Sequence, residues 1–176
     1  MKQFSIIVAV DEKNGIGKQG ALAWKLSADL KHFKEITTKT ADPLKRNALI
    51  MGRKTWDSLP EKFKPLPGRL NVVLSQNAAQ MNSPGVLFFT FLDEALKYLS
   101  VKAEVENIFV IGGAQIYTHA LEHPSCKTLY VTALQGDFGC DVFFPSIPAS
   151  FIKQAETPWL SEGAIRFQYS QYQKSD

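Results

Sequence analysis

Asn107-Ile-Phe-Val-Ile111 runs directly into Gly112-Gly113, and these into Ala114 to Leu121, a stretch that reads as strand, tight turn and helix in succession. A short apolar run rich in β-branched residues suits a strand covered on both faces. A glycine pair behind it allows a tight turn and a close backbone approach. The same sentence is spelled twice more. Phe4-Ser-Ile-Ile-Val-Ala-Val10 leads into the loop Asp11 to Gly20, and Asn47-Ala-Leu-Ile-Met51 ends at Gly52 before a short helix over Arg53 to Leu59. Strands at Leu70 to Leu74 and Val86 to Phe89 and a helix at Leu92 to Leu99 fill the space between. Beyond Leu121 the pattern changes to longer, half-exposed strands at Thr128 to Leu134, Phe151 to Ala155 and Arg166 to Gln173. Strands alternating with helices, then strands in sequence, predict an α/β fold. Its central sheet is mixed and mostly parallel, with helices on both faces and an antiparallel C-terminal edge. Ligands of such sheets sit outside the carboxyl ends of the strands, where the glycine-containing exits at Gly15, Gly52 and Gly112 converge.

A chain of 176 residues buries enough surface to hold one core, so a single domain over 1–176 is expected. Apolar residues at 45% and charged residues at 21% are ordinary for a soluble globular domain. The net charge of +3 comes without a dense basic run, which argues against nucleic acid as the main partner. No apolar run approaches the roughly 20 residues needed to cross a bilayer. Cys126 and Cys140 are the only cysteines and neither belongs to a C-x-x-C pair, so two free thiols in a cytoplasmic protein are expected, with no metal centre.

Gly15-Ile-Gly-Lys-Gln-Gly20 satisfies the G-x-G-x-x-G pattern of dinucleotide-binding turns, but in the wrong context. That pattern follows a strand at once and opens a helix. Here Asp11 to Asn14 intervene, and Ala-Leu-Ala-Trp-Lys-Leu follows Gly20 before any helix begins. A glycine-rich loop that closes beside a pocket is the better reading.

Ser27 is placed to cap the next helix, on which Leu30 and Phe33 share a side with Leu26. Asp29 interrupts that apolar stripe. Either it is a first-turn acid answering the helix's free N–H groups, or it is a carboxylate aimed at a ligand.

Taken together, the motifs resemble the dihydrofolate reductase family from Phe4 to the last strand. They are Val8-Ala9-Val10, Asn14-Gly15-Ile16-Gly17, Leu22-Ala23-Trp24, Asp29-Leu30-Lys31-His32-Phe33, Met51-Gly52-Arg53-Lys54-Thr55-Trp56, Leu66-Pro67-Gly68-Arg69, Val110-Ile111-Gly112-Gly113 and Asp141-Val142-Phe143-Phe144-Pro145. The polar insert from Thr37 to Arg46 is closer to the eukaryotic-style members.

The resemblance implies that NADPH reduces 7,8-dihydrofolate to tetrahydrofolate. Hydride goes to C6 and a proton, drawn from water, to N5. It places Asp29 against the pterin's N3–H and 2-amino group, with Thr132 hydrogen-bonded to it and Trp24 ordering a water nearby; these three form the implied catalytic group. Ile7, Val8, Leu30, Phe33, Ser58, Leu59, Leu66 and Ile111 are implied to line the substrate site, and in complexes of aminopterin-like ligands the carbonyls of Ile7 and Ile111 are implied at the pterin's 4-position edge. Arg69 is implied to grip the substrate's glutamate carboxylate, for which a guanidinium supplies paired donors. For the cofactor, the resemblance implies Ala9, Ile16, Gly20 and Leu22 from the first loop, and Gly52, Arg53, Lys54 and Thr55 at the phosphates. Leu74, Ser75 and Gln76 pass under the adenosine end, and Ile111 with Gly112, Gly113, Ala114, Gln115, Ile116 and Tyr117 approach the nicotinamide and pyrophosphate. A cis peptide between Gly112 and Gly113 belongs to the same picture. Methotrexate-like compounds and diaminopyrimidines are implied as competing ligands, and a monomer is expected.

Three departures stand out. Ala23 occupies a place where the family usually has proline, Val142 a place where it commonly has threonine, and Gln76 a place where many members carry a basic residue. Ala23 removes a fixed φ from the loop, Val142 removes a hydroxyl, and Gln76 shifts recognition of the 2′-phosphate toward Lys54. The rival readings are a pyrimidine reductase of riboflavin synthesis, which lacks the Asp29 and Arg69 set, and a catalytically silent pterin or nucleotide binder.

Overall fold

The structure, a computed structural model, describes residues 1–175. In chain order it contains β1 (Phe4–Val10), β2 (Gly15–Gly17), α1 (Ser27–Thr38), β3 (Arg46–Gly52), α2 (Arg53–Ser58), β4 (Leu70–Leu74), β5 (Val86–Phe89) and α3 (Leu92–Ser100). There follow β6 (Val105–Val110), α4 (Ala114–Glu122), β7 (Cys126–Leu134), β8 (Val142–Phe143), β9 (Phe151–Glu156), β10 (Leu160–Glu162) and β11 (Ile165–Lys174). The central sheet runs β10-β11-β7-β1-β6-β3-β4-β5, with β9 also paired to β11. Every pair from β7 to β5 is parallel, while β11 lies antiparallel to β7, β9 and β10. This is the mixed α/β sheet with an antiparallel C-terminal edge that the sequence predicts.

Alternation along the strands sorts the core into two layers, because successive side chains leave opposite faces. Ile6, Val8, Ile50, Val72 and Val110 meet α3 and α4 through Leu96, Leu99, Tyr117 and Leu121. Ile7, Leu49, Met51, Val73 and Phe109 face the other way, against Phe33 and Ile36 of α1 and Trp56 of α2. Both faces are covered, which is why these strands read as unbroken apolar runs.

Three short strands were not expected from the sequence. β2 and β8 form a separate two-stranded sheet that pairs Gly15 with Phe143 and Gly17 with Val142, and β10 extends the C-terminal edge. Each is only two or three residues long and owes its form to a partner distant in the chain, so it leaves no local periodicity.

The start of α1 corrects another expectation. Leu26 occupies the N-cap and no side chain of the helix caps it; Ser27 is the first helical residue. The orphan N–H groups of Ser27 and Ala28 instead donate to the Glu162 carboxylate at 2.8 and 2.9 Å. The far end is also held from outside: buried Asn47 of β3 donates through Nδ2 to the carbonyls of Thr37 and Lys39, both at 2.9 Å. Both ends of the helix that carries Asp29 are therefore tied by remote side chains.

Candidate active site

The exits of β3 and β6 close on one another. Gly52 N–H donates to Gly112 O at 2.8 Å and Ile111 N–H to Ile50 O at 2.9 Å. A Cβ on Gly52 would lie 3.2 Å from the Ile116 side chain, and one on Gly112 3.2 Å from Thr55 Oγ1. The Gly112-Gly113 peptide is cis. Behind it α4 begins with a glycine N-cap and no capping side chain, which leaves its first-turn N–H groups, those of Ala114, Gln115 and Ile116, facing outward from the helix end. Such an end, with glycines that let a ligand approach the backbone, suits a pyrophosphate. The residues present fit the cofactor that the family resemblance implies.

Tyr117 ties this corner to β1, its hydroxyl donating to the Ile7 carbonyl at 2.9 Å. Burial, then the nearby Asp29 charge, pushes the Tyr117 phenol far above its ordinary value. It remains a neutral donor.

Asp29 lies on the other side of β1. Thr132 stands in register with Ala9 on β1 and Tyr169 on β11. Its hydroxyl donates to Asp29 Oδ1 at 2.6 Å, as expected from the family resemblance. Burial raises the Asp29 carboxyl above the usual aspartate range, and the Thr132 bond and His32 offset only part of that. His32, one turn along the helix, is lowered by burial despite Asp29 and Glu35, and its ring stacks on Tyr169 with centroids 3.8 Å apart. Among the described residues no hydrogen bond reaches Asp29 Oδ2. Asp29 therefore offers one free oxygen in a desolvated place.

Arg69 is no solvated turn residue. It is 7% exposed, with Nε donating to Pro67 O at 2.9 Å and Nη1 to Thr37 Oγ1 at 3.0 Å, over the Phe33 ring. Burial lowers its guanidinium from the ordinary arginine value. Leu66, Leu59 and Ile111 pack with Phe33 on the same core layer, while Leu30 keeps 59% of its surface exposed. An exposed leucine next to Asp29, on a helix whose Phe33 and Thr37 hold a buried cation further along, suits a flat, partly apolar ligand with a charged end.

The remaining expected residues are placed less tightly. The side chains of Val8 and Leu74 belong to the core, so they offer a ligand only backbone. Arg53 pairs with Asp57 on its own helix at 3.0 Å, and the Ser58 hydroxyl donates to Thr55 O. Lys54, Gln76, Gly20 and Leu22 are exposed, and Ser75 N–H donates to Phe89 O. Trp24 is buried against Phe138. Ala9 packs on that cluster, and Ile16 packs on the main core.

Asp11, just beyond β1, escaped the sequence reading. It is 3% exposed, and its carboxylate accepts from the N–H groups of Gly15, Lys13 and Phe138 at 2.7, 2.9 and 3.1 Å. It knots the glycine-rich loop to the segment before β8. The two segments are held further by Asp141 N–H to Gly17 O, Phe144 N–H to Asn14 O and Gln19 N–H to Asp141 Oδ2. These bonds use backbone on one or both sides, so valine at 142 leaves the contact between the loops in place.

Sequence comparison settles the lineage of this arrangement. The profile of the family described as "Dihydrofolate reductase" matches residues 3–174. The chain belongs to the dihydrofolate reductase family. It is 43% identical over 180 residues to a dihydrofolate reductase of Drosophila melanogaster, covering 99% of each chain. A dihydrofolate reductase of Aedes albopictus is 40% identical over 183 residues, covering 99% of this chain and 98% of its own. A bifunctional dihydrofolate reductase-thymidylate synthase of Arabidopsis thaliana matches at 40% identity across 95% of this chain but only 31% of its own length. The fold brings together Asp29 with Thr132, Ile7 with Tyr117, and Gly52 with Gly112, all positions where the family resemblance leads one to expect a site.

Proposed function

We propose that this chain catalyses the NADPH-dependent reduction of 7,8-dihydrofolate to 5,6,7,8-tetrahydrofolate. The observation that carries the reading is Asp29, a desolvated carboxylate with Thr132 on one oxygen and the other left for a ligand. When bound, NADPH supplies the hydride; the protein supplies orientation, charge and dryness. Asp29 holds the pterin's N3–H and 2-amino group in register and favours the protonated ring. It lies on the pyrimidine side and does not itself deliver the N5 proton. Thr132 fixes the carboxylate, and Tyr117 keeps the Ile7 carbonyl in place. Arg69, already braced by Thr37, turns its remaining N–H groups to the substrate's glutamate carboxylate. The open first turn of α4 and the Gly52 junction take the pyrophosphate, and exposed Lys54 reads the 2′-phosphate with help from Gln76. The same Asp29 pairing admits methotrexate-like compounds and diaminopyrimidines as competitors. The protein works as a cytoplasmic monomer; its two unpaired cysteines suit a reducing compartment.

The test is a spectrophotometric assay on purified protein. NADPH is consumed when dihydrofolate is added, and not in its absence. No consumption with dihydrofolate present would overturn the reading. NADH is used more weakly, and the difference narrows as salt rises, because Lys54 is exposed.

A further inference from the structure

The carboxylate that caps α1 does not belong to α1. A helix leaves its first N–H groups without partners, and a side-chain oxygen at the N-cap usually answers one of them. Leu26 at the N-cap has none to offer. Glu162, the last residue of β10, takes the N–H groups of Ser27 and Ala28 with separate oxygens, Oε2 at 2.8 Å and Oε1 at 2.9 Å. Glu162 stands opposite Ile165 in the β10–β11 hairpin, and four residues further along β11 Tyr169 stands opposite Thr132. Tyr169 donates its hydroxyl to the Ala28 carbonyl at 3.2 Å and stacks on His32. One hairpin therefore grips both sides of the residue before Asp29: Ala28 N–H through Glu162 and Ala28 O through Tyr169. The strand next to it supplies Thr132, which fixes the carboxylate itself.

We infer that Glu162 is a positioning residue for the reaction, locking the first turn of α1 to the C-terminal hairpin so that Asp29 stands at its working distance from the substrate ring. This rests on the reading of Asp29 given above. Asp29 follows Ala28 directly, so a helix start released from the hairpin moves Asp29 with it. Misplacement of a reacting group by about 1 Å can cost on the order of a hundredfold in rate. The same release admits water to Asp29. Its neighbours are Thr132 on β7, His32 on its own helix, Tyr117 on α4 and Tyr169 on β11. Tyr169 also feels the Glu162 charge, as it does that of Glu35, so Glu162→Gln, which deletes the charge and keeps an acceptor oxygen, separates that electrostatic change from the loss of shielding at Asp29. Because burial is what raises the Asp29 carboxyl, looser shielding brings it back toward the ordinary aspartate value.

The experiment compares Glu162→Ala and Glu162→Gln with the parent at a temperature where circular dichroism shows all three folded. Glu162→Ala is expected to lower kcat about tenfold, a fraction of that positioning range, while the Kd for NADPH stays at the parent value. The acid limb of its pH–rate profile moves to lower pH. Glu162→Gln keeps one good acceptor oxygen and recovers part of the rate. If Glu162→Ala does not fold, Ser27→Pro carries the same test: proline at the first helical position keeps the helix and deletes one of the two donors. A fall in melting temperature with unchanged kcat and unchanged pH profile shows a structural cap only and overturns the inference, as do equal losses in kcat and in NADPH affinity. Asp29→Asn, assayed alongside, separates the two readings. Full activity there removes Asp29 from the site, whereas an inactive Asp29→Asn beside a Glu162→Ala of parental rate and profile removes only the positioning role.

Discussion

Asp11 lies buried just beyond β1 and Asp29 part-buried in the first turn of α1, yet their surroundings push the two carboxylates in opposite directions. Burial acts to raise both. At Asp11 it is outweighed by donors from the Phe138, Gly15 and Lys13 backbone and the Cys140 thiol, and the carboxyl is held below its ordinary value. At Asp29 one strong donor, Thr132, and the neighbouring His32 do not offset burial, and the carboxyl stays above it. The number of donors separates a carboxylate that anchors the fold from one left short of protein partners, the one we propose holds the substrate. A group saturated with protein N–H bonds has nothing left to offer; one left short of partners is costly to the protein and useful to the chemistry.

Asp29→Asn tests the functional side and should have the largest effect. The amide keeps the shape and can still accept from Thr132, but the anion is gone. Turnover at neutral pH should fall by about 10²–10³-fold, the usual scale for deleting a preorganised electrostatic group. It should recover partly in acid, where the substrate arrives already protonated. Stability should move the other way. Because the folded-state value of Asp29 is raised, ionising it costs stability as pH rises through that value, and below the unfolded value of 3.8 there is no cost. The Asn variant should therefore melt higher than the parent at neutral pH, and the gap should close toward pH 3.8. A variant that melts lower at neutral pH, or whose pH–rate profile matches the parent, breaks the comparison.

Asp11→Asn tests the structural side and reverses both signs. An amide nitrogen would face the Phe138 N–H, donor against donor, where a carboxylate oxygen now accepts at 3.1 Å. Loss of a hydrogen bond to a buried charge costs roughly 2 kcal/mol. For a chain of this size that is a drop of about 4–8 °C in melting temperature. The sign with pH follows from the lowered value: Asp11 contributes stability above the unfolded 3.8, and that contribution is lost as pH falls through its folded value. The parent's advantage over Asp11→Asn should shrink in acid, and the loss of turnover should be smaller than for Asp29→Asn. Thermal melts across pH, with turnover measured well below the transition, check all three.

The two carboxylates also mark where the sequence was informative. Asp29 announced itself, because an acid inside the apolar stripe Leu26, Leu30, Phe33 breaks a periodic pattern. Buried parallel strands and their glycine exits are local signals of the same kind, and β1, β3, β4, β5 and β6 fall within a residue or two of where the pattern puts them. Asp11 sat in a loop among other polar residues, with nothing in the chain to show that Phe138 would come to meet it. Glu162 lies 135 positions from the N–H of Ser27 that it satisfies. Ser27 was the better cap by local rules, and tertiary packing overruled it by seating Leu26 in the cluster of Trp24, Leu134 and Phe167. Arg69 and Thr37 meet across 32 positions, a brace that a turn motif cannot reveal.

The smallest effect should come from Cys140, the least of the donors that lower Asp11. A thiol is a weak donor, and this one stays protonated because burial, and then the Asp11 charge, push its own value upward. Replacing it with alanine removes both the donor and some packing, so the stability loss alone is ambiguous. Serine resolves the ambiguity: Cys140→Ser is a little smaller than cysteine but donates more strongly. If donor count governs Asp11, Cys140→Ala lets the carboxyl rise and the acid-side loss of stability begin at higher pH, whereas Cys140→Ser leaves that onset unchanged or moves it lower. The difference should be a few tenths of a kcal/mol, below the net worth of one ordinary hydrogen bond at about 1 kcal/mol. Both variants should keep parental kcat at neutral pH, since neither touches Asp29 or its neighbours. Acid-denaturation midpoints for the pair decide it. Equal midpoints for Ala and Ser would mean that the backbone donors alone hold Asp11 down and the thiol merely fills space against Gly15, whose Cβ position would lie 2.4 Å from that of Cys140.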